Sequence, residues 1–259
     1  MSTPTPTPGA RPWSPGAGPW TAAEGVHYVV GRSDEVLAAL PVAPADRASA
    51  GALPPWRAVE HTASRTLLRA LLREIGEDLR GGPVAARPGG RPYLPGRPDL
   101  GVSLSHSGGW VAAAVGGNRG VGVDVQTPAP VGDRLLRLCC SPGDAEALTA
   151  LPEDSRRREF AWIFTVQEAC VKAVGAGLSG RPWNVPVALG QRTGEWTDGR
   201  ADGRAGDPAG ERAQTWGRVR WCAPRDQHPV PVGCAWTEPP PFRQMGGGSG
   251  GRPGRRTTP

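Results

Sequence analysis

The stretch Val102–Gln126, VSLSHSGGWVAAAVGGNRGVGVDVQ, reads as a hairpin followed by a third strand. Val102–Leu104 and Val111–Val115 read as the two arms of a hairpin, separated by Ser105-His106-Ser107-Gly108-Gly109. Gly116-Gly117-Asn118-Arg119-Gly120 turns the chain into a third strand, Val121–Val125. There Val121, Val123 and Val125 share one face, so Asp124 and the following Gln126 share the other. A carboxylate and an amide carbonyl side by side on a rigid strand are hard oxygen donors of the kind Mg²⁺ accepts. An ordinary half-exposed strand has the same pattern.

Upstream, Glu60–Leu79 is predicted as an amphipathic helix, with Leu67, Leu68, Leu71, Leu72 and Ile75 in its apolar stripe and Arg65, Arg69 and Arg73 on another face. A short strand is expected at Val26–Val30, then a loop rich in Pro and Ala. A Gly/Pro loop over 81–90 leads into Arg91-Pro92-Tyr93-Leu94. Downstream, Ser141–Gly175 is mainly helical: Ser141-Pro142 forms an N-cap and N1 pair, Pro152 interrupts the run, and Gly175-Ala176-Gly177 ends it. Past this point the best strands are Thr215–Cys222 and Val230–Trp236.

Phe164–Lys172 (FTVQEACVK) places Glu168 and Lys172 one helical turn apart. A surface ion pair of this spacing is worth only about 0.2–0.5 kcal/mol. Phe160, Trp162, Ile163, Phe164, Val171 and Val174 make the helix apolar on more than one side, however, and a buried Glu–Lys pair is costly unless it performs a task. Of 30 basic residues, Lys172 is the single lysine, a compact charge in a chain that otherwise uses arginine. The segment Ser103–Gly109 gathers hydroxyls, an imidazole and glycine amides, which suit a phosphate or pyrophosphate. A Ser–His nucleophile pair and a plain polar turn are the competing readings; adjacent residues of an extended segment point apart, and no G-x-S-x-G elbow is present.

A length of 259 residues allows one large domain or two small ones. The Gly/Pro-rich ends, 1–20 and 239–259, are expected to be disordered because neither offers an apolar face. A net charge of +6 suits an anionic partner. Nucleic acid is the rival partner from another class, but the arginines are scattered and no nucleic-acid-binding module is recognisable. Five cysteines without a CxxC spacing argue against a disulfide framework or a zinc site. With no membrane span and no basic-then-apolar leader, a cytoplasmic protein is expected.

Taken together, the segments resemble the Sfp-type 4′-phosphopantetheinyl transferases over about Glu60–Leu178. His61–Ile75 resembles that family's first CoA-contacting helix, and Gly90-Arg91-Pro92-Tyr93-Leu94 its Gly-Lys-Pro segment. Leu104–Trp110 matches its Ser-His-Ser-Gly signature. Val121–Gln126 resembles its Gly-(Ile/Val)-Asp-x-Glu strand, and Phe164–Lys172 its Trp-(Ser/Thr)-x-Lys-Glu-x-x-x-Lys helix.

The resemblance implies an α+β fold of two similar subdomains related by a pseudo-twofold axis, 21–118 with the CoA phosphate contacts and 119–238 with the metal site. It implies transfer of the 4′-phosphopantetheine arm of coenzyme A to a serine of an acyl or peptidyl carrier protein, with Mg²⁺, by a monomer serving polyketide or nonribosomal peptide synthesis. Carried over by residue, Arg65, Thr66, Arg91, Ser105 and His106 hold CoA phosphates. Asp124 and Glu168 ligate Mg²⁺ with Gln126 as a third position, Lys172 stabilises charge on the transferred phosphate, and Glu168 or a metal-bound water is the base. Departures are Arg91 for Lys, Phe164 for Trp, Gln126 for Glu and Gln167 for Lys. The last two raise the alternative of a degenerate member that binds CoA or carrier protein without turnover.

Overall fold

The protein is described from a computed structural model over residues 18–77, 79, 82–197 and 217–238, the side chain of residue 178 excepted. The expected disordered ends fall mainly outside these residues. Within the expected head, however, Trp20 already begins a strand.

Ten strands and six α-helices are present among the described residues, in the order β1 (Trp20–Ala23), β2 (Val26–Arg32), α1 (Ser33–Ala39), α2 (Pro44–Ala50), α3 (Pro55–Glu74), β3 (Ala85–Ala86), β4 (Pro92–Tyr93), β5 (Leu100–Ser107), β6 (Trp110–Gly117), β7 (Val121–Val125), α4 (Asp133–Cys139), α5 (Pro142–Ala150), α6 (Glu153–Ala173), β8 (Thr193–Trp196), β9 (Val219–Cys222) and β10 (Val232–Thr237). One antiparallel sheet has the order β1-β2-β6-β5 and a second the order β7-β10-β9-β8.

Alternation along the strands sorts the core into three bodies. Val29, Val111, Ala113 and Val115 pack against Leu67, Leu68, Leu71 and Leu72 of α3. Tyr28, Val30, Ala112 and Ala114 point the other way and meet Val121, Val123, Val125, Val232 and Cys234 of the second sheet. The opposite face of the second sheet packs on α6 through Ile163, Val166, Ala169, Cys170 and Ala173. The layers therefore run α3, first sheet, second sheet, α6.

Both long helices end alike. Gly76, at φ +78°, follows α3, and Glu77 N–H donates to Leu72 O while Gly76 N–H donates to Arg73 O. After α6, Gly175 has φ +75°, Ala176 N–H donates to Val171 O and Gly175 N–H to Lys172 O. These are Schellman closures, which need a left-handed residue and so favour glycine.

Several expectations are corrected. The first long helix runs over Pro55–Glu74 rather than Glu60–Leu79: Pro55 at its first turn starts it and Gly76 stops it. The loop expected after Val30 contains α1 and α2, each seven residues long and too short to display a periodic stripe. The hairpin's first arm continues to Ser107, leaving a two-residue turn of Gly108 and Gly109, both at positive φ as a tight hairpin demands. Strand β7 is buried on both faces, not half exposed. Of the strand expected over Thr215–Cys222, Val219–Cys222 is strand, and 215 and 216 lie outside the described residues.

Candidate functional site

The site is assembled where β7, flanked by β5, crosses α6. Gly122 makes the crossing close: a Cβ there would overlap the carbonyl oxygen of Ala169, so helix backbone lies directly on strand backbone. Gly120 and Gly233 are pressed in the same way against Ala173 and Thr165. With the strand this near, Asp124 on β7 meets Glu168 and Lys172, one turn apart on α6.

Lys172 Nζ lies 2.6 Å from Asp124 Oδ1 and donates to Val123 O at 3.2 Å. The pair is half withdrawn from water, with the Asp124 side chain 8% exposed and that of Lys172 26%. Ser105 Oγ donates to the same Asp124 Oδ1 at 2.7 Å. Glu168 has a buried Oε1 with no hydrogen-bond partner. Burial, and then the neighbouring Asp124 charge, raise the Glu168 carboxyl above its ordinary range, and Lys172 opposes them. Two carboxylates forced together, one with an orphaned oxygen, are the arrangement a divalent cation relieves. Among the described residues no three His, Cys, Asp or Glu side chains gather as a metal cluster, so acidic donors number two. Gln126, one residue beyond β7, is partly exposed; its amide N–H donates to Pro231 O, and its side chain makes no hydrogen bond to either carboxylate.

A second group adjoins this one. His106 Nδ1 stands 3.0 Å from Glu60 Oε2 on α3. Burial lowers the imidazole's affinity for a proton, the Glu60 carboxylate raises it, and Arg57 and Lys172 lower it again. Arg57, Glu60, His106, Asp124 and Lys172 therefore share one field, drawn from α3, β5, β7 and α6. Sequence reasoning missed Glu60. Nothing local marks it, because its partner lies 46 positions away.

The remaining candidates are placed differently. Arg65 is half buried with Nε unpartnered, and burial disfavours its charge. The Arg91 guanidinium packs on Gly175 at the C-terminal end of α6; burial and nearby Arg87 disfavour its charge, and the helix dipole favours it. Desolvated guanidinium groups of this kind attract anions. Thr66 is fully buried with Oγ1 unpartnered, so its hydroxyl faces the interior. Gln167, at the position read as a departure, is also fully buried: its Nε2 donates to Cys139 O and Val185 O and ties α6 to the end of α4.

Of the segment Ser103–Gly109, expected to be a turn, Ser103–Ser107 is strand. Ser103, Ser105 and Ser107, on alternate positions of β5, accept hydrogen bonds from the amides of Val123, Val125 and Thr127 at 3.0, 3.3 and 3.0 Å. The three hydroxyls form a side-chain ladder that joins the first sheet to the second.

Two cavities bounded by described residues lie away from this cluster. One of about 450 Å³ is lined by Leu37, Val42, Leu53 and Val59 among others; one of about 280 Å³ is lined by Tyr28, Arg192, Cys222 and Arg225 among others.

Residues 120–203, which include β7 and α6, match the 4′-phosphopantetheinyl transferase superfamily. The chain is 29% identical over 123 residues to a 4′-phosphopantetheinyl transferase of Bacillus subtilis, covering 45% of this chain and 54% of that protein. To 4′-phosphopantetheinyl transferase Sfp of Bacillus subtilis (strain 168) it is 29% identical over 90 residues, 35% of this chain and 40% of that one. To 4′-phosphopantetheinyl transferase HetI of Nostoc it is 30% identical over 132 residues, 46% and 52% respectively. The chain thus spans about half the length of the curated relatives it matches.

Proposed function

We propose, from the chain's membership of the Sfp-type 4′-phosphopantetheinyl transferase family, that it transfers the 4′-phosphopantetheine arm of coenzyme A to a serine of an acyl or peptidyl carrier protein, with Mg²⁺, releasing 3′,5′-ADP. The observation that carries the reading is the convergence of Asp124, Glu168 and Lys172, with an orphaned Glu168 oxygen, inside the segment that matches the superfamily. In this reading 21–118 is the subdomain that contacts the CoA phosphates and 119–238 the subdomain of the metal site.

Asp124 and Glu168 would hold the cation, with the Gln126 amide or a water completing its shell. When bound, Mg²⁺ would neutralise charge on the pyrophosphate and on the departing ADP. Lys172 offers an ammonium, already desolvated on one side, to an oxygen of the phosphoryl group. Arg65, Arg91 and His106 hold the CoA phosphates. The carrier serine Oγ forms its bond to phosphorus as the bond to 3′,5′-ADP breaks. Glu168, or a water, takes the serine proton. The leaving phosphate keeps the electron pair, so charge and atoms balance.

The partners are then carrier-protein domains of polyketide or nonribosomal peptide synthesis, met by a cytoplasmic monomer without nucleic acid or membrane. No described helix is long and apolar enough to cross a membrane. The test is the intact mass of an apo carrier protein after incubation with this protein, CoA and Mg²⁺. A gain of one phosphopantetheine, lost with EDTA and with Glu168→Ala, supports the reading. A second reading, a degenerate member that binds without turnover, is favoured by the donor set of only two carboxylates among the described residues. It predicts bound CoA and no mass gain on any carrier.

A further inference from the structure

Ser105 occupies a position different in kind from its two neighbours in the ladder. All three serines accept a backbone N–H, two from β7 and one from Thr127 two residues beyond it, but Ser105 alone also donates to a carboxylate, Asp124 Oδ1 at 2.7 Å. A serine hydroxyl has one proton. The proton of Ser105 is used on Asp124, the Val125 amide takes one lone pair, and the residue is 6% exposed. It has no donor left for a phosphate oxygen.

Asp124 is gripped accordingly. Its Oδ1 receives both Ser105 Oγ and Lys172 Nζ, and its Oδ2 has no hydrogen bond among the described residues. Two donors on one carboxylate oxygen fix the rotation of the group about its Cβ–Cγ bond, and with it the direction of the other oxygen. That free oxygen and the Glu168 carboxylate, whose buried Oε1 is unpartnered, are the acidic lone-pair sources the crossing of β7 and α6 leaves available.

We propose that Ser105 is a positioning residue for cation binding: it holds Asp124 by Oδ1 so that Oδ2 is presented to a divalent ion, and it does not itself bind the CoA phosphates. The inference rests on the metal-dependent reading above and assigns Ser105 to the cation rather than the nucleotide. Outer-shell partners of metal ligands typically change affinity by about 10–100-fold when removed.

Ser103 provides the internal control, because it makes the same kind of ladder bond, to Val123 N, without a carboxylate. The full chain, free of CoA and carrier, is titrated with Mn²⁺ and the free ion followed by electron paramagnetic resonance; CoA affinity is measured separately by calorimetry in EDTA. Ser105→Ala is expected to weaken Mn²⁺ about tenfold and leave CoA affinity within twofold. Ser103→Ala, which removes a rung of the same ladder, is expected to change neither, and Ser105→Thr, which keeps the hydroxyl, to recover Mn²⁺ binding. Equal losses of Mn²⁺ in Ser103→Ala and Ser105→Ala would reduce Ser105 to a structural rung and overturn the proposal. So would a Ser105→Ala chain that loses CoA in EDTA but keeps Mn²⁺, or a wild-type chain that binds no Mn²⁺. The transferase reading fails separately, by the absence of carrier mass gain in the wild type whatever the Mn²⁺ titrations give.

Discussion

Lys172, the single lysine of the chain, is bonded through Nζ to Asp124 Oδ1 at 2.6 Å, across the crossing of α6 and β7. The pair joins residues 48 positions apart and links the helix to the strand by charge as well as by packing. Removing the ammonium leaves a carboxylate that is 8% exposed, beside Glu168, with Ser105 as its remaining donor. Breaking one side of a buried pair costs about 3–5 kcal/mol; because Lys172 is a quarter exposed, about 2 kcal/mol is the better expectation here. Lys172→Met should therefore melt several degrees below wild type in EDTA and transfer phosphopantetheine at least a hundredfold more slowly. Thermal unfolding and carrier mass check the two parts.

Glu168 presents the opposite balance. Its Oε1 is buried without a partner, and Asp124 repels it. An amide of the same shape carries no charge to desolvate and none for Asp124 to oppose. Glu168→Gln is expected to raise the melting temperature in EDTA by roughly 2 °C, the shift about half to one kcal/mol produces in a domain of this size. The same change should abolish transfer. A variant that is both less stable and inactive would show instead that Glu168 is held by contacts the wild type needs for folding.

The parts of this site that are local in sequence were legible. Period two put Asp124 opposite the valines of β7, and period 3.6 put Glu168 and Lys172 on one side of α6, so the three could be named without knowing how strand and helix meet. The serines were misjudged because their role depends on register between two sheets: Ser103, Ser105 and Ser107 look like a phosphate turn until β5 is seen to continue to Ser107 and to lie beside β7. His106 and Glu60 meet for the same non-local reason. Helices α1 and α2 escaped because seven residues span only two turns, and Asp46, the anchor of α2, is recognisable only from its buried two-point bond to Arg69 on α3. The Arg65, Arg69 and Arg73 face was seen, but not that Arg69 points to α2 rather than to a ligand.

The closeness of β7 to α6 depends on Gly122. A methyl group there would collide with backbone atoms of Ala169 and Ala173, which cannot turn aside as a side chain could. Gly122→Ala must part strand and helix, opening the core around Val166 and Ala169 and separating Asp124 from Glu168. A loss of 3 kcal/mol or more is expected, of the size seen for overpacking or cavity formation in cores. Gly117→Ala, where a Cβ meets nothing within 4 Å, is the control and should be close to neutral. Urea midpoints of the two variants compare them directly, and similar midpoints would contradict the close contact.

His228 links the two sheets on the side away from the site. It is fully buried, its Nε2 lies 3.1 Å from Tyr28 Oη, its Nδ1 has no partner, and Trp20 covers it edge-on with centroids 4.4 Å apart. Burial lowers its pKa from 6.5 to about 4. The unfolded chain therefore binds more protons than the folded one between those values, so stability rises with pH across that window. Above 6.5 the contribution is fully present; it is lost as pH falls from about 6.5 towards 4, amounting to about 3 kcal/mol at the acid end. His61, lowered to about 4 by burial and by Arg65, adds in the same direction. Melting temperatures of wild type from pH 7 to pH 4 should fall steeply, and those of His228→Phe should fall less, because the variant has no imidazole to protonate at the junction. Parallel curves for the two would show that His228 takes up its proton equally well folded and unfolded.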